Sequence, residues 1–200
     1  AFQRVQVEFN HPGARLVRIK EDLYEGALDV ARKFFMTGEP INKAVGMEWT
    51  DELRGLWLSS FRLHFSLAAV NEADEQIQTS GLKRLFVYCN YCDQKADFFN
   101  YFGVEEAFHF YGLACADKYK NQGLASKLFK AAVDMIRYLD IPGVHIKGEA
   151  TSNYSKMIYD HAGFKELFDQ PFETFIVDGE VVVPNTGIHK SMKVYGFKAT

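Results

Sequence analysis

Lys120-Asn121-Gln122-Gly123-Leu124-Ala125 joins two segments of different texture. Ahead of it, Phe108 to Cys115 predicts a buried strand. Behind it, residues 124–139 predict a helix with Leu124, Leu128, Ala132, Met135 and Leu139 on one face. Lys127, Lys130, Asp134 and Arg137 fall on the other face, and Pro142-Gly143 stops the run. Strand, short loop, glycine and helix together make an anion site. The first helical turn leaves N–H groups unpaired, and its dipole favours negative charge. Gly123 lets a ligand approach the backbone, and Ala125 keeps the wall low. A plain strand-to-helix turn has the same outline, so one short loop does not decide the matter.

Downstream, Val144 to Ala150 predicts a strand, and Ser152 to Ala162 a helix closed by Gly163. Phe164 to Val177 is strand-rich, Asp178-Gly179 is a turn before Val181-Val182-Val183, and Ile188 to Tyr195 is a last strand. Upstream, alternation over Leu16–Lys20 predicts a short strand. Leu23, Ala27, Ala31, Phe34 and Phe35 mark a helix over about 22–36. It breaks at Thr37-Gly38-Glu39-Pro40, where Pro40 suits the first position of a short helix. Thr50 reads as the cap of a helix over about 51–60. Leu63 to Val70 predicts a strand, with a hairpin through Asn71–Asp74 to a second strand near 75–80. A helix of unplaced ends is expected within 88–108. With no repeat or linker, the order predicts one α/β domain over residues 1–200, a mixed central sheet flanked by helices.

Composition narrows the function. The 200 residues are 48% apolar and 15% aromatic, enough for a sizeable core. Lys plus Arg is 23 against 26 for Asp plus Glu, a net charge of −3 that argues against nucleic acid as a partner. No apolar run approaches the ~18 residues that span a bilayer. Ala1-Phe2-Gln3-Arg4 shows no leader pattern, and Cys89, Cys92 and Cys115 are an odd set. A cytoplasmic, reduced setting without membrane contact is expected. Cys89-Asn90-Tyr91-Cys92 lacks a second ligand pair, and the six histidines are scattered, so no metal is expected.

The loop at 120–125 resembles the Arg/Gln-x-x-Gly-x-Gly/Ala loop of the GNAT superfamily of acetyl-CoA-dependent N-acetyltransferases. Tyr154 to Phe164, with Tyr159 and Gly163-Phe164, resembles that family's second signature, a helix ending Tyr-x-x-x-Gly-Phe. Phe34-Phe35-Met36-Thr37-Gly38-Glu39-Pro40-Ile41-Asn42 is similar to the Phe-Phe-x-x-x-Glu-Pro-Leu-Asn segment of insect-type arylalkylamine N-acetyltransferases. Thr151-Ser152-Asn153-Tyr154-Ser155 resembles their Ser-Ser-His-Tyr-Ser, and the tail from Gly179 to Ile188 is also similar. The likeness covers residues 14–195. Three positions depart from it. Lys120 replaces a planar Arg or Gln, Asn121 stands where Gly is common, and Tyr159 is a general GNAT tyrosine that the insect dopamine enzyme lacks.

The resemblance implies a GNAT fold whose splayed strands bind acetyl-CoA, with a small-molecule amine as acceptor. Lys120, Asn121, Gln122, Gly123, Leu124 and Ala125 would hold the pyrophosphate. Backbone amides of Leu113, Ala114 and Cys115 would face the oxyanion of the tetrahedral intermediate. An alkylamine has a pKa of about 10 and must lose a proton before attack, which makes Glu39 the general base, through a water. Tyr159 or Ser155 would protonate the leaving thiolate, and Thr151 aligns with a further hydroxyl. Structural roles remain open for all four: a helix start for Glu39, caps and core for the hydroxyls. Cys115 has no evident activating base, so direct transfer in a ternary complex is expected. Polyamine, agmatine or amino-acid acetylation, or coenzyme binding without turnover, are the alternatives. Oligomeric state is not legible.

Overall fold

The computed structural model describes residues 4, 5, 8, 9, 16–62, 80–115 and 117–199. Residues 16–20 form no strand, and Val17 is exposed. The expected strand over 63–70 lies outside the described residues, as does the one near 75–80 except for Ser80, which begins a helix.

A helical run carries α1 (Tyr24–Val30), loosens into π-helical turns over Ala31–Phe35, and returns to α-helical geometry over Met36–Gly38. Glu39 leaves helical geometry at ψ 126° and caps α2 (Pro40–Ala44), with Pro40 at the first position as its fixed φ predicts. Thr50 accepts the Leu53 N–H at 3.2 Å and starts α3 (Asp51–Arg62). Next come α4 (Ser80–Ala96) and α5 (Phe98–Phe102). Then follow β1 (Phe108–Phe110), α6 (Leu124–Arg137), β2 (His145–Ala150) and α7 (Asn153–His161). Strands β3 (Lys165–Pro171), β4 (Ile176–Val177), β5 (Glu180–Val181) and β6 (Ser191–Lys198) complete the order.

Four strands pair as β1-β2-β6-β3, and β4-β5 is a separate hairpin. The β1–β2 pair is parallel and the other two are antiparallel, which makes the sheet mixed. Asp178 and Gly179, at φ 51° and 83°, make the β4–β5 turn. Helix α4 covers one face of the sheet, where Tyr88, Cys92, Met192 and Val194 are buried together. The Tyr88 hydroxyl donates to the Gln170 carbonyl at 2.9 Å and ties α4 to β3. Helices α6 and α7 cover the other face, around Phe129, Ile146, Tyr159, Phe164 and Tyr195. Among the described residues no helix is long and apolar enough to cross a membrane.

Two further expectations need correction. The inward face of α6 is Phe129, Val133 and Ile136, while Leu128 is exposed. Asp134 is buried because Lys130 and Arg137 both reach its carboxylate, and the sheet takes the aromatic stripe over the leucine one. The strand expected over Phe108–Cys115 stops at Phe110, where the parallel register ends at Phe110↔Gly148. Residues 111–115 then run irregularly, while β2 continues two residues further paired only to β6. The two strands part there.

Candidate active site

Strand alternation sorts the residues of β2 between its two faces. Ile146, Gly148 and Ala150 turn toward α6 and α7; Lys147, Glu149 and the following Thr151 turn toward α4 and Glu39. The site is therefore two-sided, and its halves meet where β1 leaves β2.

On the α4 side, Glu39 Oε2 accepts the Asn42 N–H at 2.5 Å, an ordinary cap bond. Glu39 Oε1 is buried and has no hydrogen-bond partner among the described residues. Burial pushes the carboxyl above its usual range. The nearby Thr151 hydroxyl and the amides of Asn42 and Ile41 pull it part of the way back. The Thr151 hydroxyl is close enough to act on the charge without completing a hydrogen bond to Oε1. Capping alone uses one oxygen, and the second is left for another donor. The sheet thus brings Glu39 and Thr151 together from positions 112 residues apart, a span of 151 − 39.

On the other side, the Tyr159 ring stacks on Tyr195 (centroids 4.8 Å, 5°) and packs edge-on to Phe129 and Phe164. Its hydroxyl lies over the backbone of Gly148, where a Cβ would come within 2.0 Å. Burial raises its pKa well above 10, so it stays protonated. Ser155 is placed differently. Its Oγ accepts the Ser152 N–H at 3.2 Å, and its own N–H donates to Ser152 Oγ at 3.1 Å, a reciprocal cap of α7.

The loop at 117–125 lies at the start of α6. Asn121 (φ 60°) and Gly123 (φ 74°) both adopt left-handed backbone, which Asn and Gly tolerate best. A Cβ on Gly123 would meet nothing within 4 Å, so its face is open. Lys120 pairs with Asp117 at 2.6 Å, and the Gln122 amide donates to the Lys118 carbonyl at 2.7 Å. Leu124 and Ala125 begin the helix half-buried, and Leu113, Ala114 and Cys115 are half-buried in the irregular stretch. Burial raises the Cys115 thiol above its usual range, and the Lys120 charge lowers it part of the way back.

One group of residues escaped the sequence reading. His109 Nε2 stands 2.6 Å from Glu149 Oε2, and Lys147 Nζ stands 2.6 Å from Asp93 Oδ2 and 3.4 Å from Glu149 Oε1. The available signal was the polar alternation Lys147, Glu149, Thr151 in a strand expected to be buried. Cys89 and Cys92 are free; Cys92 packs in the core, and Cys89 lies beside this group. A cavity of about 460 Å³ between Phe172 and Lys190 includes none of these residues.

The site thus combines parting strands on a mixed α/β sheet with a buried carboxylate oxygen left free for a donor. Residues 40–179 match the acetyltransferase (GNAT) domain, and the chain belongs to that family. The match begins one residue after Glu39, so a role for Glu39 rests on its own geometry. Arylalkylamine N-acetyltransferase 2 from Aedes aegypti has a similar fold, with TM-score 0.81 and 19% identity over 92% of this chain and 98% of that one. A putative arylalkylamine N-acetyltransferase 7 from the same mosquito gives 0.82 and 17%, over 93% and 87%. Drosophila melanogaster polyamine N-acetyltransferase, described as forming N-acetylagmatine, gives 0.74 and 13%, over 90% and 97%. No curated protein matches the chain by sequence.

Proposed function

We propose that residues 1–200 form a single acetyl-CoA-dependent N-acetyltransferase domain. It transfers an acetyl group to the primary amine of a small arylalkylamine by direct attack in a ternary complex. The observation that carries this reading is the two-sided arrangement along Gly148–Thr151. A carboxylate with a free oxygen lies on one face of β2, and a protonated phenol lies on the other.

The residues fit acetyl-CoA on two counts. Left-handed turns at Asn121 and Gly123 open the backbone at a helix start, and β1 parts from β2 beside it. Residues 120–125 would hold the pyrophosphate, and the backbone of Leu113, Ala114 and Cys115 would line the reacting end. Bound acetyl-CoA supplies the acetyl group as a thioester. Glu39 draws in the ammonium and removes its proton through Oε1; its raised pKa makes it a better base than an exposed carboxylate. Thr151 steadies the Glu39 charge. Tyr159, rather than Ser155, is the proton donor to the leaving sulfur, because the Ser155 hydroxyl is engaged in its cap. The rings of Phe35, Trp57 and Tyr111, in edge contact at 5.2 and 5.8 Å, would pack against an aromatic amine. The mosquito enzymes named for arylalkylamines support the same choice.

The test is acetyl-CoA turnover with phenethylamine, tyramine, dopamine, serotonin, agmatine and spermidine, following CoA by chromatography. Preference for the aromatic amines is expected. Preference for agmatine or spermidine keeps the mechanism and overturns the acceptor. No turnover with any of them overturns the reading.

A further inference from the structure

In the parallel register of β1 with β2, His109 lies beside Lys147 and Phe110 beside Gly148, and the register ends there. Strand alternation puts His109, Lys147 and Glu149 on one face. Glu149 is therefore the first residue on that face of β2 beyond the last pair with β1. Had the ladder run on, its neighbour would be Tyr111. Tyr111 has left the ladder and packs edge-on against Trp57 at 5.8 Å. The Glu149 carboxylate reaches back to β1 instead, and His109 Nε2 stands 2.6 Å from Glu149 Oε2. One side-chain bridge thus ties the two strands together where they part.

The bridge depends on charge. Lys147 Nζ stands 2.6 Å from Asp93 Oδ2 on α4 and 3.4 Å from Glu149 Oε1. With His109 protonated, two carboxylates face two cations and the group is neutral. Without that proton, both carboxylates share the single ammonium of Lys147, and one negative charge is left unmatched in a half-buried place. Among the described residues no neighbour replaces the lost cation. Cys89 on α4 and Tyr111 beyond β1 are both kept protonated, first by burial and then in part by the Glu149 charge. Glu39 adds further negative charge from its side. From β6, Val194 and Gly196 lie opposite Glu149 and Lys147 and bring no charge. Burial opposes the charge on His109, but Glu149 outweighs it and raises the imidazole above its ordinary value.

The bridge stands between the two stretches of chain that frame the reacting end: residues 111–115, which leave β2, and Gly148 with Tyr159 above it, which stay. We propose that His109 is a positioning residue of the acetyltransferase, its bridge to Glu149 fixing the opening between β1 and β2 that receives the thioester end of the coenzyme. This rests on the reading of that opening as the acetyl-CoA site. The bridge makes coenzyme and proton partners. The protonated pair holds the opening ready, so CoA and the His109 proton favour each other's binding by the same factor.

Calorimetric titration of the protein with CoA between about pH 6 and 8.5 reads this coupling. Affinity should be highest at the acid end and fall about tenfold as pH rises through the folded pKa of His109. His109→Gln can still donate a hydrogen bond to Glu149 but carries no charge. It should match the wild type at the alkaline end and bind about tenfold more weakly at the acid end. Ionisation of the CoA phosphate is common to both proteins, so the difference between their slopes isolates His109. Glu149→Gln should lose as much, and the double variant no more than either single one, as two residues acting through one bridge require. Thermal melting checks that each variant is folded, and the wild-type pH series needs no variant. A lower melting temperature with CoA affinity unchanged makes the pair structural alone and overturns the proposal. So does a loss of equal size at every pH, which leaves the charge without a role. Absence of CoA binding to the wild type at every pH overturns the acetyl-CoA reading itself, and the role of the bridge with it.

Discussion

Gly148 and Tyr159 share a space that admits only one of two groups: the phenol oxygen sits 2.0 Å from where a Cβ on residue 148 would be. The glycine is therefore a condition for the position of the tyrosine at the strand parting. Gly148→Ala should displace the ring and cost about 1–3 kcal/mol through overpacking, read as a lower unfolding midpoint in denaturant. Tyr159→Phe removes a hydroxyl that makes no hydrogen bond among the described residues, so stability should change by less than about 1 kcal/mol. Turnover should fall in Tyr159→Phe while the KM for acetyl-CoA holds. An unchanged kcat would remove Tyr159 from the chemistry.

Glu39→Gln keeps the cap, since the amide oxygen still accepts the Asn42 N–H, but it removes the proposed base. The expected loss in kcat is about 10²–10⁴-fold, with acetyl-CoA affinity little altered. Calorimetric titration with CoA beside steady-state kinetics separates the two effects.

The acid limb of kcat/KM should report Glu39. Burial raises its pKa above 4.5, and the Thr151 hydroxyl lowers it part of the way back. Activity rises as pH passes upward through that pKa and the carboxylate forms. Thr151→Val keeps the shape and removes the hydroxyl, so the limb should move to higher pH. A limb that stays in place would show that Thr151 does not act on Glu39.

Stability should peak between the ordinary pKa values of Glu149 and His109. Burial opposes charge on Glu149, but His109 and Lys147 prevail and hold its carboxyl at about 2 against an ordinary 4.5. Its contribution is present above 4.5 and is lost as pH falls toward 2. Burial also opposes charge on His109, but Glu149 prevails and raises it above 6.5. That contribution is full below 6.5 and is lost as pH rises through the folded pKa. Asp93, raised by burial and then by Glu149, runs the other way on acidification and softens the acid limb. Melting temperatures across roughly pH 3 to 9 should trace this dome, and His109→Gln should flatten its alkaline side.

Gly123→Ala places a side chain on left-handed backbone and should cost about 1–2 kcal/mol. Because no atom crowds that position, any further rise in the KM for acetyl-CoA reports the ligand rather than the fold. Asn121→Gly should leave stability equal or better.

Much of this was legible in the residue order, because caps and turns are local. Thr50, Pro40, Ser152, Gly163 and Asp178-Gly179 each act through the backbone of their own neighbours, and each lies where its chemistry predicts. The end of β1 at Phe110 was not legible. Residues 111–115 are apolar enough for a strand, and only the loss of a partner beyond Gly148 makes them irregular. Nor was the inward face of α6, where two apolar stripes compete and the sheet chooses Phe129 over Leu128.

The sequence by itself determined the α/β class, the family likeness and the carboxylate and hydroxyls proposed for catalysis. Those depend on local spacing and on residue types that survive in a linear pattern. Tertiary structure alone decided which of them meet. It set Glu39 beside Thr151, put Tyr159 across β2 from both, and drew Asp93, His109, Lys147 and Glu149 into one charged group. Such encounters depend on which strand face each side chain takes and which helix covers it, and β2 acquires both only when it pairs with β1 and β6.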